Sequence, residues 1–181
     1  MPGLEAVICA AGLVEDSIVD GPGLRLSLFV QGCPHHCPGC HNPGSHPFAG
    51  GWPIRAGEVL ARLLANPLLD GLSLSGGEPF CQAEALAPLA AAARGRGYPV
   101  MAWTGYTFEE LLRGGRADWL ALLSSVDVLV DGPFLLERRT LALPWRGSDN
   151  QRLLDAPQSL AQGRAVEADG AAEAGKISAA S

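Results

Sequence analysis

The sequence contains almost no lysine. Its 181 residues include 13 Lys and Arg against 19 Asp and Glu, a formal net charge of −6, and Lys176 is the only lysine. The remaining basic residues are arginines scattered along the chain, without a basic patch. Nucleic acids and anionic membranes attract basic surfaces, so this composition argues against either as the main partner.

Two targeting signals are also missing. No Lys or Arg precedes Arg25, so the positively charged start of a secretory signal peptide is absent. No uninterrupted apolar stretch approaches the ~20 residues that a membrane-spanning helix needs. We therefore expect a soluble, cytoplasmic protein that does not associate with membranes.

Three of the five cysteines, Cys33, Cys37 and Cys40, share one short loop in which a fourth thiol is lacking. Iron–sulfur clusters are usually held by four thiolates. Three thiolates on a four-iron cluster would leave one iron open to a small molecule. The spacing therefore suggests a site for chemistry as well as structure.

Two other interpretations of the loop compete with the cluster. A disulfide is disfavoured because nothing indicates export, and reducing compartments keep thiols reduced. Zinc is the stronger rival, since one histidine of the loop would complete a tetrahedral site of three sulfurs and one nitrogen; the candidates are His35, His36 and His41. Structural zinc sites usually separate two ligand pairs in sequence, which favours the cluster without excluding zinc. Cys9, in an apolar run, is predicted to be a small buried hydrophobe.

Short apolar segments alternate with helical ones through the middle of the chain. Strands are predicted at 24–30, 71–75, 99–103 and 126–130, and helices at 55–66, 83–94, 107–113 and 117–123. Pro88 is expected to interrupt or restart the second helix. The alternation predicts an α/β fold with a mostly parallel sheet and helices packed on it.

The length suits one compact domain, which we place at residues 1–155. From 156 to 181 Ala, Gly, Ser and Glu dominate and no periodicity is visible. We predict that this tail is disordered, with a docking segment as the functional alternative.

A second chemical signal is the run Gly76-Gly77-Glu78-Pro79, which follows the strand after the cysteine loop. Ligands of α/β folds gather at the carboxyl ends of strands, and paired glycines let a backbone approach a ligand closely. A tight turn requiring positive φ is the simpler explanation. The position of the glycine pair favours a ligand-binding role, because this loop and the cysteine loop should open on the same edge of the sheet.

These motifs resemble those of the radical S-adenosylmethionine enzymes, in which such a cysteine triad holds a 4Fe-4S cluster and a Gly-Gly-Glu-Pro-like loop supports the methionine end of the cofactor. The resemblance is closest to the subgroup that activates anaerobic ribonucleoside-triphosphate reductase. The matching blocks lie in order at compatible spacing, at residues 20–23, 29–42, 72–79, 103–106, 128–134 and 145–152.

The resemblance implies a function. Cys33, Cys37 and Cys40 would bind three irons, and the amino and carboxylate groups of S-adenosylmethionine would chelate the fourth. Reductive cleavage would yield a 5′-deoxyadenosyl radical that takes a hydrogen atom from a backbone glycine of the reductase. The family further implies an open, incomplete (β/α) barrel, because a full barrel needs about 250 residues. A flavodoxin-like electron donor and a homodimer are also implied.

Carried over residue by residue, the resemblance predicts further cofactor contacts at Gly39, His41, Gly76, Gly77 and Glu78. Simple loop geometry is the alternative at Gly39 and His41, and an exposed turn carboxylate is the alternative at Glu78.

Asp131, at the end of a predicted strand, would meet the ribose or the partner, or would cap a helix. Residues 145–152 are distinctive, but their role is left open by the sequence.

Two other functions remain as alternatives. The first is a short radical enzyme acting on a small molecule, such as a deazapurine synthase, which should lack the blocks at 103–106 and 145–152. The second is a zinc-binding interaction module.

Overall fold

The computed structural model describes residues 3–168. Along this part of the chain the elements are β1 (Val7–Ser17), β2 (Arg25–Val30), β3 (Trp52–Arg55), α1 (Ala56–Ala65), β4 (Gly71–Gly76), α2 (Ala83–Arg94), β5 (Val100–Trp103), α3 (Phe108–Gly114), α4 (Ala117–Leu123), β6 (Val128–Asp131), β7 (Arg152–Asp155) and α5 (Ala156–Gln162). Within residues 3–168, none of the helices has both the length and the apolar character needed to traverse a bilayer.

The strands form one seven-stranded sheet in the order β3-β1-β2-β4-β5-β6-β7. The four central strands β2, β4, β5 and β6 are parallel. Antiparallel pairing adds β1 and β3 on one side and β7 on the other. The predicted α/β fold with a mostly parallel sheet is thus confirmed, whereas its curvature into an open barrel stays a prediction.

Alternation along the strands gives the sheet two different faces. Leu72 and Leu74 of β4 belong to the main core, into which the helices bury their apolar sides, whereas Ser75 points to the opposite face and lines a cavity. On β5, Ala102 joins the main core and Met101 a smaller cluster on the other face. Since successive strand residues point to opposite faces, one face packs against helices and the other is free to build a site.

Three strands were not predicted from the sequence, and β1 shows why. Its pairing with β2 has register shifts between Ala10 and Gly12 and between Val14 and Ser17, so the expected alternation of period two is interrupted. On its other side β1 pairs with β3 over residues 7–10.

The predicted interruption at Pro88 is wrong, because α2 runs through it without a break. A proline inside a helix removes one backbone hydrogen bond. Here the helix buries Leu86, Leu89, Ala90 and Ala93 in the main core, and this packing offsets the loss.

The predicted disorder after residue 155 is wrong for residues 156–168. Asp155 accepts a hydrogen bond from the Gln158 backbone N–H and caps α5, which ends at Gly163 in the left-handed conformation. Beyond the helix, Glu167 forms a β-bridge with Leu154. The rest of the predicted tail, residues 169–181, lies outside the described residues.

Candidate active site

A cavity of about 600 Å³ opens at the carboxyl ends of the central strands. Six of the predicted site residues line it, namely Cys33, Cys37, Cys40, His41, Gly76 and Gly77. The other three predicted residues, Gly39, Glu78 and Asp131, do not line this cavity.

The cysteine loop is held in place mainly by backbone bonds and one glutamine. Gly32 N–H donates to the Ser45 carbonyl at 2.8 Å, and Cys33 N–H donates to the His46 carbonyl at 3.0 Å. The Gln31 side-chain amide, just after β2, donates to the Gly44 and Pro47 carbonyls. The two arms of the loop are therefore fixed to one another before any ligand arrives.

All five cysteines are free thiols, so the structure gives no support to a disulfide. Cys33 is buried, and Cys37 and Cys40 are half-buried. Burial raises the pKa of the Cys33 and Cys37 thiols above the usual value of 9.0. Metal binding at neutral pH must therefore displace protons from these two sulfurs. Cys9 is half-buried rather than buried, and its thiol donates to the Gly50 carbonyl.

The donor set of the loop fits a cluster with several irons. A four-iron cluster places each thiolate on a different iron, so its ligands must surround a volume. Cys33, Cys37 and Cys40 all line the cavity, and its volume of about 600 Å³ leaves room for such a cluster between them.

The Gly76-Gly77 loop meets the cysteine loop through the pairing of their parent strands. In the parallel register, Val30 at the end of β2 lies beside Gly76 at the end of β4. Gly77 N–H donates to the Val30 carbonyl at 2.7 Å, and Glu78 N–H donates to the Gly32 carbonyl at 2.8 Å. The prediction that both loops open on one edge is confirmed. Gly76 has a φ of 97°, so the turn interpretation also holds there.

The close packing of these loops leads to a first prediction. A Cβ on Gly77 would overlap the Gly32 carbonyl oxygen and lie 3.0 Å from the Ser45 carbonyl oxygen. We expect Gly77→Ala to lower the free energy of unfolding by about 1–3 kcal/mol and to reduce the iron content after reconstitution. Urea unfolding and an iron assay would measure both.

Gly44 provides the matched control for this prediction. It lies in the cysteine loop, and a Cβ there would meet no atom within 4 Å. Gly44→Ala should stay within about 0.5 kcal/mol of the wild type. An equal loss in the two variants would contradict the packing argument.

Glu78 lies behind the loop instead of in the cavity. Its side chain is fully buried, and it accepts hydrogen bonds from the Thr104 hydroxyl and from the backbone N–H groups of Phe80 and Gly105. His35 Nε2 lies 2.8 Å from Glu78 Oε2. The carboxylate is therefore not the exposed turn residue of the simpler interpretation. It joins the cysteine loop to the loops after β4 and β5.

Asp131 is also turned away from the cavity. The strand alternation that places Val130 on the cavity face sends Asp131 to the helix face, where Oδ2 accepts from the Phe108 N–H at the start of α3. Arg152 donates two hydrogen bonds to Asp131 and two to Glu109. The hydrogen bonds to Asp131, and to a smaller extent those to Glu109, raise the pKa of Arg152. Asp131 is not the N-cap of α3, which is Thr107, but its carboxylate satisfies the first N–H of that helix from the end of β6.

Gly39 and His41 flank the last cysteine in different ways. Gly39 has a φ of 71°, in the left-handed region that favours glycine, so the loop-geometry alternative accounts for this residue. His41 lines the cavity, with its ring 5.2 Å from that of Phe134.

Several lining residues were not assigned a role from the sequence. Thr104, Gly105 and Gly132 follow β5 and β6, and Trp145, Arg146, Gly147 and Gln151 come from the segment before β7. Ligands of α/β folds gather at the carboxyl ends of strands, and this strand-end rule, which located Gly76, would also have found Thr104, Gly105 and Gly132. The last four come from a loop before an unpredicted edge strand, so the rule does not reach them.

The segment before β7 closes the cavity wall beside the last cysteine. Trp103 Nε1–H donates to the Trp145 carbonyl at 2.7 Å. Gln151 accepts from the Gly147 N–H and donates to the Gly132 carbonyl. This gives the distinctive block at 145–152 a position at the site.

Comparison with known proteins agrees with this arrangement. Residues 19–154 match the family described as "4Fe-4S single cluster domain". Three curated relatives are named anaerobic ribonucleoside-triphosphate reductase-activating protein. The Haemophilus influenzae protein is 38% identical over 145 residues, covering 74% of this chain and 89% of the relative.

The protein of Escherichia coli K12 is 34% identical over 148 residues, covering 74% of this chain and 90% of the relative. The protein of Enterobacteria phage T4 is 37% identical over 148 residues, covering 75% of this chain and 86% of the relative. On these grounds the chain belongs to the 4Fe-4S single cluster domain family and, within it, to the anaerobic ribonucleoside-triphosphate reductase-activating proteins.

Proposed function

We propose that this protein is a radical S-adenosylmethionine enzyme that creates a glycyl radical on an anaerobic ribonucleoside-triphosphate reductase. The observation that carries the proposal is one cavity lined by three loop cysteines and by Gly76 and Gly77. The names of the relatives supply the target protein. The family description, with its single 4Fe-4S cluster, supports the cluster over zinc.

Each part of the cavity wall has a task in this proposal. Cys33, Cys37 and Cys40 hold the cluster, and the backbone of Gly76 and Gly77 supports the methionine end of S-adenosylmethionine. A bound, reduced cluster would supply the one electron needed to cleave the C5′–S bond of S-adenosylmethionine into methionine and a 5′-deoxyadenosyl radical, which would take the glycine hydrogen.

Glu78 acts as a positioning residue in the proposal. By accepting from Gly105 N–H and Thr104, and by meeting His35 at 2.8 Å, it fixes three loops around the cavity. It therefore orients the walls without touching the cofactor.

Aromatic side chains would protect the radical from water. Phe29, Trp103, Phe134 and Trp145 line the cavity. Apolar walls exclude solvent, which limits side reactions of reactive species.

The finer parts of the proposal rest on the resemblance. They are a flavodoxin-like electron donor, a homodimer, a cytoplasmic location, and an open (β/α) barrel whose gap admits a loop of the reductase. A sheet whose order runs from β3 to β7 is compatible with such a gap.

Anaerobic reconstitution is the test of the function. We expect about four irons and four sulfides per chain, cleavage of S-adenosylmethionine to 5′-deoxyadenosine on reduction, and a glycyl radical signal from the reductase in electron paramagnetic resonance. A colourless protein with one zinc per chain would refute the proposal. Cleavage without a glycyl radical on the reductase would point to the small-molecule alternative.

A further inference from the structure

Arg146 is an unsatisfied cation in the cavity wall. It lines the cavity, and its buried Nε atom has no hydrogen-bond partner among residues 3–168. No carboxylate within residues 3–168 forms an ion pair with it. Buried donors are almost always satisfied, so an orphaned guanidinium nitrogen at a cavity indicates an absent acceptor.

The backbone on both sides of Arg146 is fixed. Before it, Trp145 adopts a φ of 58° and accepts from Trp103 through its carbonyl. After it, Gly147 N–H donates to the Gln151 side chain at 2.8 Å. A non-glycine residue in the left-handed region is unusual, and such strain is often found at functional sites.

The fixed segment packs against the cysteine loop. A Cβ on Gly147 would lie 3.3 Å from His41 Cε1, and His41 directly follows Cys40. Arg146 is therefore adjacent to the loop that would hold the cluster.

The charges of the wall indicate what the missing acceptor is. Among the residues that line the cavity, Asp20 and Arg146 are the ones with a carboxylate or guanidinium group. Asp20 Oδ2 has a hydrogen-bond donor in Ser17 Oγ, whereas Arg146 Nε has no acceptor within residues 3–168, so Arg146 is the charged group of the wall that still requires a partner. A planar guanidinium binds a carboxylate with two parallel hydrogen bonds.

We propose that Arg146 binds the carboxylate of S-adenosylmethionine and so determines the affinity for that cofactor. The inference rests on the proposed function, because it takes S-adenosylmethionine as the occupant of the cavity. A carboxylate or carbonyl of the partner reductase is the competing acceptor.

Binding measurements on the reconstituted protein with an oxidised cluster, which does not turn over, test the inference. Isothermal titration with S-adenosylmethionine should show at least about 10-fold weaker binding by Arg146→Gln. The affinity of Arg146→Lys should lie between those of the wild type and Arg146→Gln, because lysine keeps the positive charge but lacks the planar guanidinium group. Iron and sulfide contents should match those of the wild type.

Decarboxylated S-adenosylmethionine identifies the group that Arg146 meets. Arg146→Gln should weaken binding of this analogue by less than about 3-fold, because the carboxylate is already absent. The control is Arg62→Gln, since Arg62 pairs with Glu15 and Glu58 on the surface, outside the cavity lining, and should leave both affinities unchanged. Equal losses for the two ligands would overturn the inference.

Two further outcomes separate the inference from the proposed function. Unchanged affinity for S-adenosylmethionine together with weaker binding of the reductase would assign Arg146 to the partner and overturn the inference alone. A wild-type protein that assembles no cluster, or that does not bind S-adenosylmethionine, would overturn the proposed function itself.

Discussion

Replacing Cys37 with alanine should abolish both the cluster and the cleavage of S-adenosylmethionine. The loop offers three thiols, and a four-iron cluster has one defined open iron for the cofactor only if all three are used. With two thiolates, a second iron would lack a protein ligand, and the chelation site would no longer be defined. Iron, sulfide and 5′-deoxyadenosine measured after anaerobic reconstitution would show the loss.

Cys9→Ala is the control for this prediction. Cys9 lies on β1, and its thiol donates to the Gly50 carbonyl outside the cavity lining. The Cys9→Ala protein should retain both the cluster and the cleavage activity. A Cys37→Ala protein with full cleavage activity would refute the assignment of the ligands.

Replacing Glu78 with alanine should destabilise the fold and disable the site together. Removal of the carboxylate would leave the buried Thr104 hydroxyl and the Phe80 and Gly105 N–H groups without their acceptor. Breaking a buried charged network costs about 3–5 kcal/mol. Urea unfolding should show a loss of that size, and reconstitution should yield less cluster, since His35 in the cysteine loop also loses its partner.

Two substitutions test the hydrogen-bond explanation. Glu58 is exposed and paired with Arg62 on α1, so Glu58→Ala should change stability by less than about 1 kcal/mol. Glu78→Gln preserves the shape but turns one acceptor into a donor, so it should remain clearly destabilised. A Glu78→Gln protein as stable as the wild type would show that packing alone is required there.

Local sequence signals were sufficient for the cysteine loop and the central strands. Cys33, Cys37 and Cys40 are close in sequence, and the strand-end rule located Gly76 and Gly77 on the same edge. The positions of β4 and β5 followed from short apolar runs bounded by loops. These features depend on interactions within a few residues or on one general property of parallel sheets.

The rest of the site depends on contacts between distant residues. The carboxylate of Glu78 meets His35, 43 residues earlier, and Thr104, 26 residues later, so its buried role has no local signal. Asp131 was assigned to the ligand edge because it ends a strand. Its true direction is set by the strand's alternation and by Arg152, which lies on β7, an edge strand that the composition did not reveal.

The incomplete cover on β1 bears on how the sheet avoids the addition of further strands at this edge. β3 pairs with β1 over residues 7–10, and the register shifts fall at the end of that stretch and beyond it. Exposed strand edges invite other chains to add to the sheet, and bulges and charged side chains discourage such addition. Glu15 and Asp16 are both exposed in the uncovered half of the strand. The irregular backbone and these charged side chains therefore discourage strand addition at this edge, which lies beside a cavity that must remain accessible.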